Sequence, residues 1–298
     1  MRKKGRAGRI EAAWGLAFIV PSMIQVLFFF LIPAAFCIYA GFTNWNVLQR
    51  SQSFVGMANF AELFGDPKFW KAAGNTIYML IPIPIYLFLA LLFAIACNRG
   101  TPGNRVFRVL YYLPYISSIV ALVVMWKYLF NYQYGLINSV LSLFDIQGPN
   151  WLTDPDWVKR TIVIMIAWKL IGITSIYYLA ALKNIPGTLY EAAKIDGASP
   201  LQLFVRITLP LTTPITFFLL TVGAVGSLQT FVEVQLFTTD GGRNYSAATL
   251  VYYIWQKAFG VSGEMGLASA AAAIFGLFIM IVTVLQFKFS KKWVYEGG

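Results

Sequence analysis

Histidine is absent from the sequence. Its absence removes histidine-based catalytic triads, the HExxH zinc-peptidase motif and the commonest side-chain proton shuttle. Cysteine is nearly absent: Cys37 and Cys97 lie in or at the end of separate apolar runs. Neither a disulfide framework nor a CxxC metal or redox motif is available, and both read as small buried hydrophobes. No GxxxxGK[ST] phosphate loop occurs, so any ATP must be bound on another polypeptide. Charge is scarce as well, at 12% of residues against about 25% in soluble domains. With no paired carboxylates or nucleophile constellation, an enzyme is a poor reading.

What fills the space is apolar. The 298 residues are 58% hydrophobic and 17% aromatic, with a mean hydropathy of +0.67. This is the composition of a membrane protein, and the aromatics suit interfacial belts and a lipid-facing surface. Crossing about 30 Å of hydrocarbon takes about 20 apolar residues. Six such runs are found, at about 14–40, 76–97, 107–130, 161–182, 214–237 and 266–287. The first follows the basic stretch "MRKKGRAGR", but it outlasts a signal-peptide core, and "AAFC" before Cys37 is no lipobox, so it reads as a retained helix. The expected organisation is a basic tail over 1–13, a six-span membrane domain over 14–287 that contains a polar loop at 184–213, and a tail over 288–298.

Lysine and arginine set the orientation. With both termini inside, the inner segments hold Arg2, Lys3, Lys4, Arg6 and Arg9, then Arg99, Arg105 and Arg108, then Lys183, Lys194 and Arg206, and finally Lys288, Lys291 and Lys292. The outer segments hold fewer, among them Arg50, Lys68, Lys71, Lys127, Lys159, Arg160, Arg243 and Lys257. Most of the twelve acids fall outside, and Glu11, Glu191, Asp196 and Glu296 fall inside. The net charge of +11 therefore reports topology and attraction to anionic lipid, with no need for nucleic acid.

The inner loop between spans four and five contains "YEAAKIDGASPLQLFVRITLP", Tyr190 to Pro210. Thr188 followed by Glu191 reads as a capping box, and Gly197 sits where a helix ends in a left-handed residue. Ser199, Pro200 and Gln202 repeat the start signal. The expectation is helix, glycine turn and second helix, stopped by Pro210. The first helix is small and charged enough to plug a partner's groove. An amphipathic interfacial connector is the other reading.

The series Glu191-Ala192-Ala193, Asp196-Gly197-Ala198, Phe204, Ile207, Leu209-Pro210 and Pro214 resembles the EAA motif of permease subunits of bacterial ABC importers. "GFTNW" at 41–45, "FVGMANF" at 54–60, "AAGNT" at 72–76, "FTTDGG" at 237–242 and "GLASAAAAIFGL" at 266–277 resemble the carbohydrate-uptake branch, which serves maltose, other oligosaccharides and glycerol phosphate. Arg243 departs from the branch's "GGP" pattern. The resemblance covers most of the chain. It implies an all-α integral membrane protein of the type I importer kind, with six transmembrane helices, in a bacterial cytoplasmic membrane. It further implies that Glu191, Ala192, Ala193, Asp196, Gly197, Leu209 and Pro210 couple the chain to the ATPase. The implied partners are two ATP-binding subunits carrying ATP and Mg, a second permease subunit, an extracytoplasmic solute-binding protein and a sugar substrate, with no cofactor in this chain. Non-sugar import, such as glycerol phosphate, and an ion-driven secondary transporter are the alternatives.

Polar groups inside spans are functional candidates. Lys169 lies eight residues into span four, about 12 Å below its outer end at 1.5 Å per residue. In span five, Gly223, Gly226, Thr230 and Glu233 share a face, with Gln229 adjacent. On one reading Trp168, Lys169, Gln229 and Glu233 surround a translocating sugar. On the other, Lys169 snorkels outward or pairs with Glu233, and the glycines serve helix packing. The outer segment 131–160 reads as a short helix and a turn, either a rest for a delivery protein or a cover for the bundle ends.

Overall fold

A computed structural model describes residues 6–49, 52–98 and 104–295. Arg2, Lys3, Lys4, Arg50, Arg99 and Glu296, which enter the charge argument, lie outside the described residues, as do the side chains of Arg6, Arg9 and Arg105. Among the described residues every long element is a helix, and the single extended pairing is the bridge between Thr43 and Phe54.

Four helical stretches are long and apolar enough to cross a membrane: Trp14–Ala40, Pro67–Asn98, Val158–Lys183 and Met265–Ser290. Two bent pairs join them, Val106–Ile116 with Ile119–Leu129 at 99° and Pro200–Leu211 with Thr213–Leu228 at 60°. Each bend has a local cause. Pro114 lies inside the Asn104–Ile116 helix, and Ser118 leaves helical geometry at φ −56°, ψ 130°. At the other bend the Thr212 hydroxyl donates back to the carbonyls of Thr208 and Leu209 at 2.9 and 3.0 Å. Such back-bonding weakens the axial ladder and bends helices.

The chain forms two compact units. One comprises Met1–Gly65 and Ile254–Phe275. Its Trp14–Ala40 helix is exposed along most of its length, down to the half-buried Cys37 and the buried Ala40, which suits lipid or a partner helix, and carries a π turn over Leu27–Leu31. The backbone of Gly41 lies so close to Ala270 that an added Cβ would stand 3.1 Å from its Cα. The Asn59 amide donates to the carbonyls of Gly41 and Thr43, both at 2.8 Å. Lys257 and Glu264 form an ion pair at 2.8 Å.

The other unit comprises Asp66–Tyr253 and Gly276–Gly298. Its core follows helical spacing: Ile83, Leu87, Ala90, Leu91 and Ala94 of the Pro82–Asn98 helix pack on Leu179 and Leu182 of the Val158–Lys183 helix. Lipid tails are as apolar as leucine, so helices in a membrane associate by close packing of small residues and by hydrogen bonds. Gly172 performs the first task, since a Cβ there would overlap the Tyr111 carbonyl oxygen. Tyr178 performs the second, donating to Thr216 Oγ1 at 3.0 Å. Asn75 pins the loop before the Leu250–Phe259 helix: its amide donates to the carbonyls of Tyr245 and Ala248 at 3.0 and 2.9 Å and accepts from Lys159 Nζ at 3.0 Å. That loop has positive φ at Asp240, Gly241, Gly242, Asn244 and Tyr245.

Candidate functional site

A cavity of about 370 Å³ opens beside the core of the second unit. Its walls come from Tyr86 on the Pro82–Asn98 helix, Tyr115 on the Asn104–Ile116 helix, Tyr177 on the Val158–Lys183 helix and Phe218 on the Thr213–Leu228 helix. Tyr177 and Phe218 meet edge to face at 6.1 Å. The polar end is built by a break in the backbone. The Thr213–Leu228 helix stops, Gln229 to Phe231 are non-helical, and a short helix resumes over Val232–Phe237. Non-helical backbone at membrane depth is tolerated where it lines a cavity or is buried in protein. Here the Thr230 carbonyl accepts from Thr249 Oγ1 at 2.6 Å.

Lys169, near the middle of its helix, and Glu233, in the first turn of the short helix, both line the cavity. They form an ion pair at 3.8 Å with side chains 20% and 17% exposed. Among the lining residues these two are the charged ones, so the wall carries no net charge. Gln229 is exposed to the cavity beside them. Gly226 has open space around its Cβ position, whereas a Cβ on Gly223 would overlap the Tyr86 hydroxyl oxygen. The first glycine leaves volume in the cavity and the second admits a neighbouring ring.

Of the residues expected to surround a solute, the structure brings Lys169, Gln229 and Glu233 together and leaves Trp168 out. One residue before Lys169, Trp168 points about 100° around the helix, and its ring lies 5.6 Å from that of Trp126. The tyrosines that line the cavity, Tyr86, Tyr115 and Tyr177, carry no distinguishing signal in the sequence. In apolar runs they are indistinguishable from core tyrosines.

The polar loop forms a second constellation. A helix runs over Gly187–Ile195 with no buried residue, and Ile195 is 87% exposed. Gly197 has φ +76°. The Gly197 amide donates to Lys194 O at 3.0 Å and the Ala198 amide to Ala193 O at 2.9 Å, the paired bonds of a Schellman ending. Ser199 and Gln202 make the reciprocal capping box. Two expectations need correction. The helix begins at Gly187 after Pro186, so Thr188 is already helical and cannot cap it; no side-chain cap is present. Pro210 does not stop the second helix. A π turn over Phe204–Thr208, in which the Leu209 amide bonds to Phe204 O, places Pro210 at the start of the next segment, Leu209–Leu211, where its missing N–H is harmless. Glu191, Ala192, Asp196 and Leu209 are exposed, with Ala193 and Pro210 half-buried.

Comparison with known proteins agrees with this architecture. Residues 75–295 match the family described as binding-protein-dependent transport system inner membrane component. The probable ABC transporter permease protein YesP of Bacillus subtilis is 35% identical over 98% of this chain and 95% of its own length. The lactose transport system permease protein LacF of Rhizobium radiobacter is 34% identical over 92% of each. The crystal structure of a bacterial ABC transporter involved in the import of the acidic polysaccharide alginate contains a chain of the same fold. Its TM-score is 0.82 at 25% identity, covering 95% of this chain and 97% of that one. The chain is a multi-pass membrane protein and belongs to the family of inner membrane components of binding-protein-dependent transport systems.

Proposed function

We propose that the chain is the membrane-spanning permease subunit of an ATP-driven importer of an uncharged sugar, most simply an oligosaccharide. One observation carries the reading: the cavity between its spans is lined by aromatic faces and neutral polar groups, and its two ionised residues cancel each other. Tyrosine rings stack on the CH faces of a sugar, while Gln229 and the paired Lys169 and Glu233 engage hydroxyls. A phosphate or carboxylate solute would call for cations free to meet it, and Lys169 is engaged by Glu233. The similarity to a lactose permease supports a sugar. The relation to the importer of acidic alginate is more distant.

In this reading both termini face the cytoplasm. The Gly187–Ile195 helix is the coupling helix, seated in a cleft of an ATPase subunit that binds ATP and Mg. Two such subunits, a second permease chain and an external solute-binding protein complete the assembly. Closure of the ATPases on ATP drags the coupling helices and opens the cavity outward to receive sugar. Hydrolysis returns it inward. The exposed Ile195 and the Schellman turn at Gly197 suit a surface made to be covered.

The test is recovery of the tagged chain from its native membrane in mild detergent, identification of what accompanies it, and uptake of labelled sugars by the reconstituted assembly. Co-recovery of an ATPase, a second permease and a binding protein, with ATP-dependent uptake that Gln229→Ala and Glu233→Ala depress, is expected. Recovery of the chain alone in several detergents, with transport driven by an ion gradient, would sink the proposal.

A further inference from the structure

A second concavity, of about 410 Å³, lies in the same unit, between the Thr213–Leu228 helix and the end of the Met265–Ser290 helix. Phe217 and Leu220 form one wall, and Val282, Leu285 and Phe289 the other. The chain itself closes one end. After Ser290 it turns, with the Trp293 and Val294 amides bonded to Ser290 O at 3.1 and 2.9 Å, and returns so that the Tyr295 amide donates to Thr213 Oγ1 at 2.8 Å. This fold-back sets Trp293 against Phe217, ring centres 6.2 Å apart, where it lines the groove's end.

Charge gathers at that end and nowhere else along the groove. Lys288, Lys291 and Lys292 are exposed, and Lys292 Nζ lies 5.8 Å from the centre of the Phe289 ring. From Val282 to Phe289 the apolar wall runs about 10 Å along the helix axis. Within that wall, one residue past Leu285 and two before Lys288, stands Gln286, which lines the groove with its side-chain oxygen buried and without a hydrogen-bond partner. An unsatisfied amide in hydrocarbon is costly. A turn about its last torsion presents either its N–H groups or its carbonyl to a ligand in the groove.

We propose that this groove is a binding site for an anionic glycerophospholipid. An acyl chain fills the Phe217–Leu285 groove, the ester region meets Gln286, and the phosphate sits among Lys288, Lys291 and Lys292 beside Trp293. Apart from Phe289, which lies level with the lysines, the order along the helix of Val282 and Leu285, then Gln286, then the lysines follows that of chain, ester and phosphate in such a lipid. Basic pockets between membrane helices hold acidic headgroups in this manner, and Trp marks the interface. In the orientation proposed above, the lysine end faces the inner leaflet. The lipid assignment does not depend on what the cavity transports.

The experiment isolates the tagged chain with whatever accompanies it and compares its retained lipids, by mass spectrometry, with those of the parent membrane. Retention of phosphatidylglycerol or cardiolipin above its share in that membrane is expected. In the K291E/K292E variant the excess should fall roughly fivefold or more for each lysine lost. In Leu285→Trp, whose side chain fills the groove from an exposed position, bound lipid of every headgroup should fall. A photoreactive side chain at position 285 should label lipid. Retention that mirrors the bulk membrane, an excess untouched by both variants, or labelling of a neighbouring protein subunit would overturn the assignment; the last would give the groove to helix packing. Equal melting temperatures for variants and parent exclude loss through unfolding.

Discussion

Lys169 Nζ lies 3.8 Å from Glu233 Oε1, linking the middle of the Val158–Lys183 helix to the short helix that follows the break at Gln229–Phe231. The pair joins two elements that no local backbone bond connects, at a place where the cavity wall is otherwise aromatic or uncharged. Both side chains are mostly out of solvent, so each charge depends on the other.

Removing one member should therefore be worse than removing both. Glu233→Gln leaves an uncompensated ammonium, and loss of one partner of a well-buried pair costs about 3–5 kcal/mol. With residual exposure near a fifth on each side, about 1–3 kcal/mol is expected here after solvent screening. The K169M/E233Q double variant should lose less than either of its single variants. Thermal denaturation of the four proteins in one detergent measures the coupling. Additive losses would mean that the two charges act independently.

The freed lysine should also change what the cavity accepts. In Glu233→Gln the wall gains a net positive charge, so an anionic sugar, such as a uronic acid oligomer, should begin to compete with neutral substrate in an uptake assay that it does not affect in the parent. If neither protein responds to the anion, the pair has no part in selectivity.

Gly226 and Gly223 separate the roles of a glycine in this wall. A Cβ on Gly226 meets no neighbour within 4 Å, and leucine is favoured over glycine in a helix by up to about 1 kcal/mol. Gly226→Leu should keep or raise the melting temperature while it narrows the cavity and cuts uptake. Gly223→Ala must displace the Tyr86 hydroxyl from the core, and should lower stability by about 1–3 kcal/mol, as overpacking does. Full uptake by Gly226→Leu would place the solute path elsewhere.

How far these sites could be read from the sequence depends on what each one rests on. Apolar length identifies the membrane segments, because the hydrocarbon thickness demands it. It does not report the 99° bend at Ser117–Ser118, where one apolar run is two helices, since hydropathy carries no φ and ψ. The short motifs that resemble those of sugar permeases turn out to be packing devices: Gly41 of "GFTNW" lies against Ala270 of "GLASAAAAIFGL", Asn59 of "FVGMANF" ties Gly41 and Thr43, and Asn75 of "AAGNT" ties the 245–248 backbone. Lys169, Gln229 and Glu233 were legible because charge and amide inside a span are costly. Tyr86, Tyr115 and Tyr177 were not, because a tyrosine in an apolar run carries no mark of which way it points.

Asn75 offers a further test, since one side chain replaces missing backbone partners for a loop with five left-handed residues. Asn75→Ala strands the carbonyls of Tyr245 and Ala248 and the ammonium of Lys159. Each buried polar group left without a partner costs about 1–3 kcal/mol, so a loss of about 2–4 kcal/mol is expected after partial rescue by water. Protease cleavage within 238–249 should rise in parallel with the drop in melting temperature. Unchanged cleavage would show that the loop is held by its own turns.

Gly197 tests the proposed coupling loop, and Gly187 supplies its control. Neither position has a neighbour within 4 Å of an added Cβ, but only Gly197 has φ in the left-handed region, at +76°. A side chain there costs about 1 kcal/mol in backbone strain without any clash, and that strain falls on the turn that aims the Gly187–Ile195 helix. Gly187→Ala should leave transport intact. Gly197→Ala should weaken co-recovery of the ATPase, and Gly197→Asp should weaken it further by adding a carboxylate to the proposed docking face. The melting temperature of the chain itself should hardly move, because the loop is exposed and the Ser199–Gln202 capping box holds the following helix independently. A normal ATPase yield with normal ATP-dependent uptake in Gly197→Asp would mean that the partner does not read this turn, and the coupling role would pass to another surface of the loop.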